Sequence, residues 1–260
     1  MLFDSHCHLQ DPRLLGRIDE VMSSAGAAGV GGMLCCGAEE SDWQAVMRLC
    51  ARFPSLVPAL GLHPLYISAR SAHWLEDLRG MLEGSEAAVG EIGLDHAVEP
   101  RDDGGQEEVF VAQMSLAGEL DRAVSVHCRR AWGRMMEIVR SEGMPGRGMV
   151  FHSFSGSVEL VGPLCEMGGY ISFSGTITRS GNRRGHEAAK AVPWDRLMIE
   201  TDSPDLLPVI HEPGGGIRKG ANEPGNLTFV VKKIAELRGV SEDEVAETTW
   251  ANARRVFCAQ

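Results

Sequence analysis

The chain has 260 residues, 43% of them hydrophobic, which is enough apolar material for one large core. Its formal net charge of −11 argues against bulk attraction to nucleic acid, although bound cations or a local basic patch could still hold a polyanion at one site. No apolar run is long enough for a membrane helix and no secretory signal is visible, so we expect a cytoplasmic protein that does not associate with membranes.

Short apolar or β-branched runs recur along the chain, and each is followed by a segment of helical length. The eight runs cover residues 2–8, 32–36, 56–62, 87–94, 123–128, 148–154, 169–173 and 196–201. Helical spacing of apolar residues is clearest over residues 41–52, 106–120 and 226–238. This alternation predicts an α/β fold, a TIM (β/α)8 barrel forming one domain over residues 1–260, with an open doubly wound sheet as the alternative.

Unusual polar residues lie at the carboxyl ends of these runs. They are His6 and His8 in the first run, His63 after the third, Glu91 late in the fourth, His127 in the fifth, His152 in the sixth and Asp202 after the eighth. In barrel enzymes the carboxyl ends of the strands form the catalytic face, so residues spread over roughly 200 positions are expected to converge there. Residues 211–216, with one proline and three glycines, are predicted to form a flexible loop on the same face.

The ligand types in this set suit metal ions. Side chains alternate along a strand, so His6 and His8 point to the same face while Cys7 points away. A His-x-His pair is weak evidence alone, but four imidazoles and two carboxylates exceed what one four-coordinate zinc requires. We therefore predict two divalent cations, Mg, Mn or Zn, with open positions for water and substrate. The predicted ligands are His6, His8, Glu91, His127, His152 and Asp202.

At these residues the sequence resembles the TatD-type deoxyribonuclease family, within the amidohydrolase-like barrels. The resemblance runs from residue 4 to about residue 257 and rests on seven ordered strings. They are Asp-Ser-His-Cys-His-Leu (4–9), Gly-Leu-His-Pro (61–64), Gly-Glu-Ile-Gly-Leu-Asp (90–95), Val-His-Cys-Arg (126–129), His-Ser-Phe-Ser-Gly (152–156), Glu-Thr-Asp-Ser-Pro (200–204) and Asn-Glu-Pro-Gly-Asn-Leu (222–227). Each string is short, but the occurrence of all seven in this order is highly specific for the family.

The resemblance implies a role for each ligand. His6, His8, Glu91 and Asp202 would hold one metal, and Glu91 would bridge to a second metal. The second metal would be completed by His127 and His152. Asp202 would also act as the general base for the attacking water, a role that requires hydrogen-bond reach to that water.

Four more residues are expected to support this centre. The resemblance implies that His63 and Arg129 contact the substrate; a turn residue and a solvated arginine are the plain alternatives. Asp4 and Glu200 precede His6 and Asp202 by two positions and would share their inward face. From there they could orient the ligands by hydrogen bonding.

The sequence departs from the family pattern beside the site. His96 follows Asp95 where relatives usually have an aromatic residue, and Arg130 stands where relatives often have an acidic one. Both changes bear on the substrate rather than on the metals. The candidates for a local basic patch are Arg129, Arg130, Arg179, Arg183, Arg184, Arg218 and Lys219.

Three functions fit this pattern. The most direct is a metal-dependent exonuclease or phosphodiesterase acting on DNA, as a monomer or weak oligomer. A second is an ester, lactone or amide hydrolase that acts on a small molecule or an aminoacylated nucleic acid, and a third is a non-catalytic metal-binding protein. Because one fold hosts many chemistries, the lining of the site must distinguish these functions. An arginine-lined pocket favours a phosphate substrate, and an apolar closed pocket favours the second function.

Overall fold

The structure is a computed structural model that describes residues 1–211 and 216–258. Its centre is one sheet of eight parallel strands, in which each strand pairs with its neighbour in chain order. The strands are β1 (Leu2–Cys7), β2 (Val30–Cys36), β3 (Leu56–Leu60), β4 (Ala88–Asp95), β5 (Val124–Arg129), β6 (Met149–Phe151), β7 (Gly169–Phe173) and β8 (Leu197–Ile199). The predicted (β/α)8 barrel is confirmed.

Helices surround the sheet. The described residues contain α1 (Pro12–Leu15), α2 (Ile18–Ala27), α3 (Glu40–Arg52), α4 (Trp74–Glu83), α5 (Asp103–Glu119), α6 (Trp132–Glu142), α7 (Val158–Glu166), α8 (Arg183–Ala191), α9 (Leu227–Arg238) and α10 (Glu242–Phe257). The three predicted helices correspond to α3, α5 and α9. None of the helices in the described ranges is long and apolar enough to cross a membrane.

The amino-terminal end of the barrel is apolar and closed. Phe3, near the start of β1, stacks on Phe257 of α10 with ring centroids 6.1 Å apart, and its edge meets Trp250 at 6.0 Å. Buried side chains from other strands, such as Leu34 and Met198, join the same cluster. Because this end is filled with apolar side chains, the polar residues of the strands are left to the opposite, carboxyl end.

The barrel closes at a seam between β1 and the segment after β8. His8 donates its backbone N–H to the Ser203 carbonyl at 2.7 Å, and Asp202 donates its own to the His6 carbonyl at 3.0 Å. Asp4, which is fully buried, ties the two segments together. Thr201 donates its backbone N–H to Asp4 Oδ1 at 2.8 Å and its hydroxyl to Asp4 Oδ2 at 2.5 Å.

Strands β6 and β8 end earlier than the sequence analysis predicts. The chain leaves the sheet after Phe151 and after Ile199, and it turns sharply at Ser153 (φ 40°) and Asp202 (φ 55°). Positive φ values at residues other than glycine carry backbone strain, which the surrounding contacts must offset. The predicted loop over residues 211–216 lies, apart from its two end residues, outside the described residues.

The seam generates a stability prediction. Thr201→Val keeps the shape of the side chain but removes the hydroxyl that bonds to Asp4, and it leaves a buried carboxyl oxygen without that donor. We expect the free energy of unfolding, measured by urea titration, to fall by about 1–3 kcal/mol.

Thr249→Val is the matched control. Thr249 is also buried, but its hydroxyl bonds only to carbonyls one turn back in α10, which also accept helical N–H bonds. This control should lose less than about 1 kcal/mol. Equal losses of unfolding free energy in the two variants would show that the bond between Thr201 and Asp4 contributes no more to stability than a side-chain bond within a helix.

Candidate metal centre

Glu91, buried on β4, holds the centre of the site. Its Oε2 lies 3.4 Å from His6 Nε2 and 3.3 Å from His8 Nε2. Asp202 closes the same group, because its Oδ1 lies 3.8 Å and 3.6 Å from those two nitrogens. Three of the other five predicted ligands therefore meet on one side of Glu91.

The other carboxylate oxygen of Glu91 faces a second group of imidazoles. Oε1 lies 2.7 Å from His152 Nε2 and 2.9 Å from His127 Nδ1. The facing nitrogens of His127 and His152 are 3.3 Å apart. The two oxygens of one carboxylate thus point to two separate sets of nitrogen atoms, which is the arrangement that a bridging ligand needs.

Hydrogen bonds from other strands fix which nitrogen of the His6 and His8 rings faces the centre. His8 Nδ1 donates to the Cys36 carbonyl at 2.8 Å, and His6 Nδ1 lies 2.8 Å from the Ser125 hydroxyl. Both rings therefore direct Nε2 inward, where the two Nε2 atoms approach to 3.1 Å. Two nitrogen lone pairs and carboxylate oxygens at this spacing need positive charge between them, as protons or as a metal ion.

Asp95 performs the same task for His127, and the sequence analysis missed this role. The buried Asp95 carboxylate lies 3.0 Å from His127 Nε2, so that Nδ1 is the nitrogen that faces Glu91. Carboxylates behind a ligating imidazole set its orientation and raise its basicity. A signal was present, since Asp95 follows Glu91 by four positions on the same strand and shares its face.

His63 joins the cluster in a different chemical state. Its Nε2 lies 3.3 Å from Glu91 Oε1, and its Nδ1 accepts the backbone N–H of Leu65 at 3.1 Å. Burial lowers the pKa of His63, so the ring is neutral and carries its one proton on Nε2. A protonated Nε2 donates a hydrogen bond and cannot ligate a metal, so this geometry suits a contact to Glu91 or to substrate.

Asp4 and Glu200 support the centre in unlike ways. Glu200 Oε1 accepts the backbone N–H of Ser153 at 2.5 Å and lies 3.5 Å from His152 Nδ1. The other oxygen, Glu200 Oε2, and His152 Nδ1 have no hydrogen-bond partner within the described ranges. Asp4 accepts the backbone N–H of His6 at 3.3 Å and does not touch its ring, so it supports the seam beside Asp202 rather than the orientation of His6.

The donor atoms are close enough for metal ions. In each of three overlapping triplets, one ligand atom per residue lies within 4.8 Å of the others. The triplets are His6–His8–Glu91, His6–His152–Asp202 and His63–Glu91–His127, and the third would require His63 to lose its Nε2 hydrogen. Imidazole nitrogens with carboxylate oxygens suit Zn, Mn and related divalent ions, so the residues fit the metals that the sequence predicts.

The pKa values reflect this crowding. Burial, with the nearby His152, lowers the pKa of His6 to about 4. Burial also acts to lower the pKa of His8 and His152, but the carboxylates of Glu91, Asp202 and Glu200 outweigh it and hold both values well above the ordinary imidazole range. Burial would raise the pKa of Glu91, yet the surrounding imidazoles keep it well below the usual value.

The cluster forms the floor of a large open cavity of about 1140 Å³ at the carboxyl end of the barrel. Arg129 lies on its rim, with its side chain 62% exposed and Nη1 4.0 Å from Asp95 Oδ2. Of the seven predicted basic-patch candidates, Arg129, Arg179 and Arg184 line the cavity and the other four do not. His96 is also outside the lining, with its Nε2 3.7 Å from Asp103.

Known proteins share this chain's sequence and fold. A family model described as "TatD related DNase" matches residues 3–258. The metal-dependent hydrolase YcfH of Escherichia coli K12 is 35% identical over 98% of this chain and 95% of its own length. The 3′-5′ ssDNA/RNA exonuclease TatD of Erwinia tasmaniensis is 35% identical over 98% of this chain and 99% of its own length. The crystal structure of YjjV, a TatD homologue of E. coli K12, superposes with a TM-score of 0.91 at 30% identity. The superposition covers 100% of this chain and 98% of YjjV.

Metal binding should release protons. Because the raised pKa values keep His8 and His152 protonated at neutral pH in the metal-free protein, a cation must displace those protons in order to bind. Apparent affinity for Mn²⁺ should therefore rise with pH through the neutral range. Calorimetric titrations at pH 7 in buffers of different ionisation enthalpy should show about one or more protons released per chain. A heat independent of buffer would contradict this.

Asp95→Asn tests the support behind His127. The amide keeps the shape but can offer its NH₂ group to His127 Nε2, which moves the ring proton to the nitrogen facing Glu91. We expect the affinity for one equivalent of Mn²⁺ to fall about 10–100-fold. Asp77→Asn, an exposed carboxylate on α4, is the control and should bind metal like the parent. Equal affinities in both variants would remove Asp95 from the site.

Proposed function

Since the chain belongs to the family of TatD-related DNases, we propose that it hydrolyses phosphodiester bonds at the ends of single-stranded nucleic acid. It is a metal-dependent hydrolase of that family. The proposed substrate draws on relatives that carry the name 3′-5′ ssDNA/RNA exonuclease. DNA is the substrate that we place first, and RNA is the competing one.

One observation carries the choice of a phosphodiester. The cavity above the donor cluster is open and lined by four arginines: Arg13 is paired with Asp11 and Asp205, and the others are Arg129, Arg179 and Arg184. Guanidinium groups match phosphate oxygens in geometry and charge. An ester or amide hydrolase of a small apolar molecule would instead be expected to enclose its substrate among apolar side chains. The arginine lining therefore favours the phosphodiester over the ester, lactone or amide.

The proposed metal ligands follow the two oxygens of Glu91. His6, His8 and Asp202 with Glu91 Oε2 would hold one divalent cation, and His127 and His152 with Glu91 Oε1 would hold a second. Bound divalent cations lower the pKa of water and neutralise charge on phosphate oxygens. Among the ions Mg, Mn and Zn, the four imidazoles of the donor set favour Mn or Zn.

The chain's own residues would move the proton and hold the substrate. Asp202, partly exposed to the cavity floor, would accept the proton of the attacking water. His63 would donate its Nε2 hydrogen to a phosphate oxygen beside Glu91. Arg129, on the rim, would stabilise the negative charge that grows on phosphorus-bound oxygens in the transition state.

Several wider features belong to the same proposal. We propose one domain over residues 1–260, a monomer or weak oligomer, and a cytoplasmic location. The seven cysteines support the location, because all are free and five are buried, as suits a reducing compartment.

Asp202→Asn should separate chemistry from metal binding. We expect the Mn²⁺-loaded variant to retain some metal and to hydrolyse a single-stranded DNA oligonucleotide about 10²–10⁴-fold more slowly, since it has lost the proton acceptor. The measurement is the initial rate of nucleotide release, together with elemental analysis of the protein.

The control and the substrate panel complete this test. Asp77→Asn should match the parent in rate and metal content. The parent should cut the oligonucleotide and a chromogenic phosphodiester far faster than a carboxylic ester or lactone. Asp202→Asn rates within a few-fold of the parent would exclude Asp202 as the base, and preference for the ester would replace the proposed substrate.

A further inference from the structure

The rim of the cavity is divided by charge. Its acidic half comes from the loops after β8, β1 and β2 and carries Asp205, Asp11, Glu39 and Asp42. The one cation there, among the described lining residues, is Arg13, and it pairs with both Asp11 and Asp205 at 2.8 Å. This half offers no unpaired positive charge to a polyanion.

The opposite half is basic. Arg129 ends β5, and Arg179 and Arg184 lie after β7. In the part of the chain that the structure describes, neither Arg179 nor Arg184 forms a close ion pair with a carboxylate, and both side chains are exposed. Glu159 on α7 attracts Arg184 only from a longer range. Two exposed guanidinium groups without a close ion pair, on the wall of an otherwise acidic protein, suit the binding of phosphates.

An apolar platform stands beside the cluster on the β3 side. Leu65 is 45% exposed and Tyr66 is 40% exposed, and they are the two exposed large hydrophobic residues that line the cavity in the described chain. Both are fixed to His63: Leu65 donates its N–H to His63 Nδ1, and Tyr66 donates its N–H to the His63 carbonyl at 2.9 Å. The Tyr66 ring also lies against the His63 ring, with centroids 6.0 Å apart, and an exposed aromatic ring in this position suits the stacking of a nucleobase.

Barrel topology puts the arginines after β7 and the apolar platform after β3 on opposite sides of the donor cluster. β3 and β7 are four strands apart in a sheet of eight, so the loops that follow them face each other across the mouth. The donor cluster around Glu91 lies between them on the floor. The end of a nucleic-acid strand has the same order of groups: the terminal base lies on one side of the last phosphodiester, and the next phosphate lies on the other side.

We propose that a single-stranded nucleic-acid end lies across the mouth in one direction. Its terminal base stacks on Leu65 and Tyr66, its last phosphodiester lies over the donor cluster, and its next phosphate binds Arg179 and Arg184. The strand then leaves over the basic half of the rim and avoids the acidic half. This proposal rests on the proposed nuclease function and adds the path of the strand to it.

The arginine half of the proposal is tested with neighbouring residues of one helix. Arg184→Ala in the Mn²⁺-loaded enzyme should raise KM for a ten-nucleotide single strand about 3–10-fold. It should also flatten the slope of log KM against log salt by about 0.7, which is the value for one lost phosphate contact. Arg183→Ala is the matched control, because Arg183 is exposed in the same turn but does not line the cavity, and it should behave as the parent.

The two proposals fail separately in this experiment. A parent enzyme that cuts neither the oligonucleotide nor a chromogenic phosphodiester would overturn the nuclease function. A parent that cuts both, with Arg184→Ala and Arg183→Ala equal in KM and salt slope, would overturn only the strand path. The path is supported if Arg184→Ala loses more on the oligonucleotide than on the small diester, which has no second phosphate.

The platform is tested with the terminal base itself. The parent should prefer, by about 5–100-fold in kcat/KM, an oligonucleotide with a normal terminal base over one whose terminal residue is abasic. Tyr66→Ala should lose most of this preference, and Tyr66→Phe, which keeps the ring, should retain it. A parent without the preference, or a Tyr66→Ala variant that keeps it, would overturn the base contact; a general disturbance of His63 would slow both substrates equally.

Discussion

One buried carboxylate, that of Glu91, faces five imidazoles at 2.7–3.4 Å, and the rest of the site is arranged around this contact. Acceptors packed so closely away from water are stable only with positive charge among them. Protons can supply part of it, and divalent cations can supply more, so that metal binding is coupled to the stability of the folded state. This also explains how a protein of net charge −11 could serve an anionic substrate. Positive charge would be concentrated at the floor by cations and on one wall by arginines, and nowhere else is it needed.

The barrel contributes orientation. Three of the five rings are held from a different strand than their own: His6 on β1 by Ser125 on β5, His8 beside β1 by the Cys36 carbonyl of β2, and His127 on β5 by Asp95 on β4. For these three rings, the direction of the inward nitrogen therefore depends on how the strands are placed in the barrel, which the sheet hydrogen bonds fix. Gly93, with a φ of 145°, permits this packing, because a Cβ there would lie 1.9 Å from the His127 carbonyl oxygen. Orientation fixed before substrate arrives is what electrostatic catalysis requires.

Much of this site could be predicted from the sequence because strand position is a local property. Alternation places His6 and His8 on one face, and the ends of apolar runs mark the catalytic rim. What depends on contacts between distant segments was less predictable. Asp4 was expected behind His6 and instead joins Thr201 at the seam, because the partner lies in another strand. Asp95 was overlooked among the motif residues. Composition likewise could not select the cavity arginines from seven candidates, since loop geometry decides which side chains reach the rim.

The seam has a consequence for the synthesis of the protein on the ribosome. Asp4 and Thr201, whose contact completes the barrel, are 197 positions apart in the chain. The ribosome extends a chain by roughly 5–20 residues per second from the amino terminus, so the first strand waits for many seconds before its last neighbour is made. During that time the imidazoles of His6 and His8 lack Asp202. A nascent chain of this protein therefore carries no complete centre until the segment after β8 has been made.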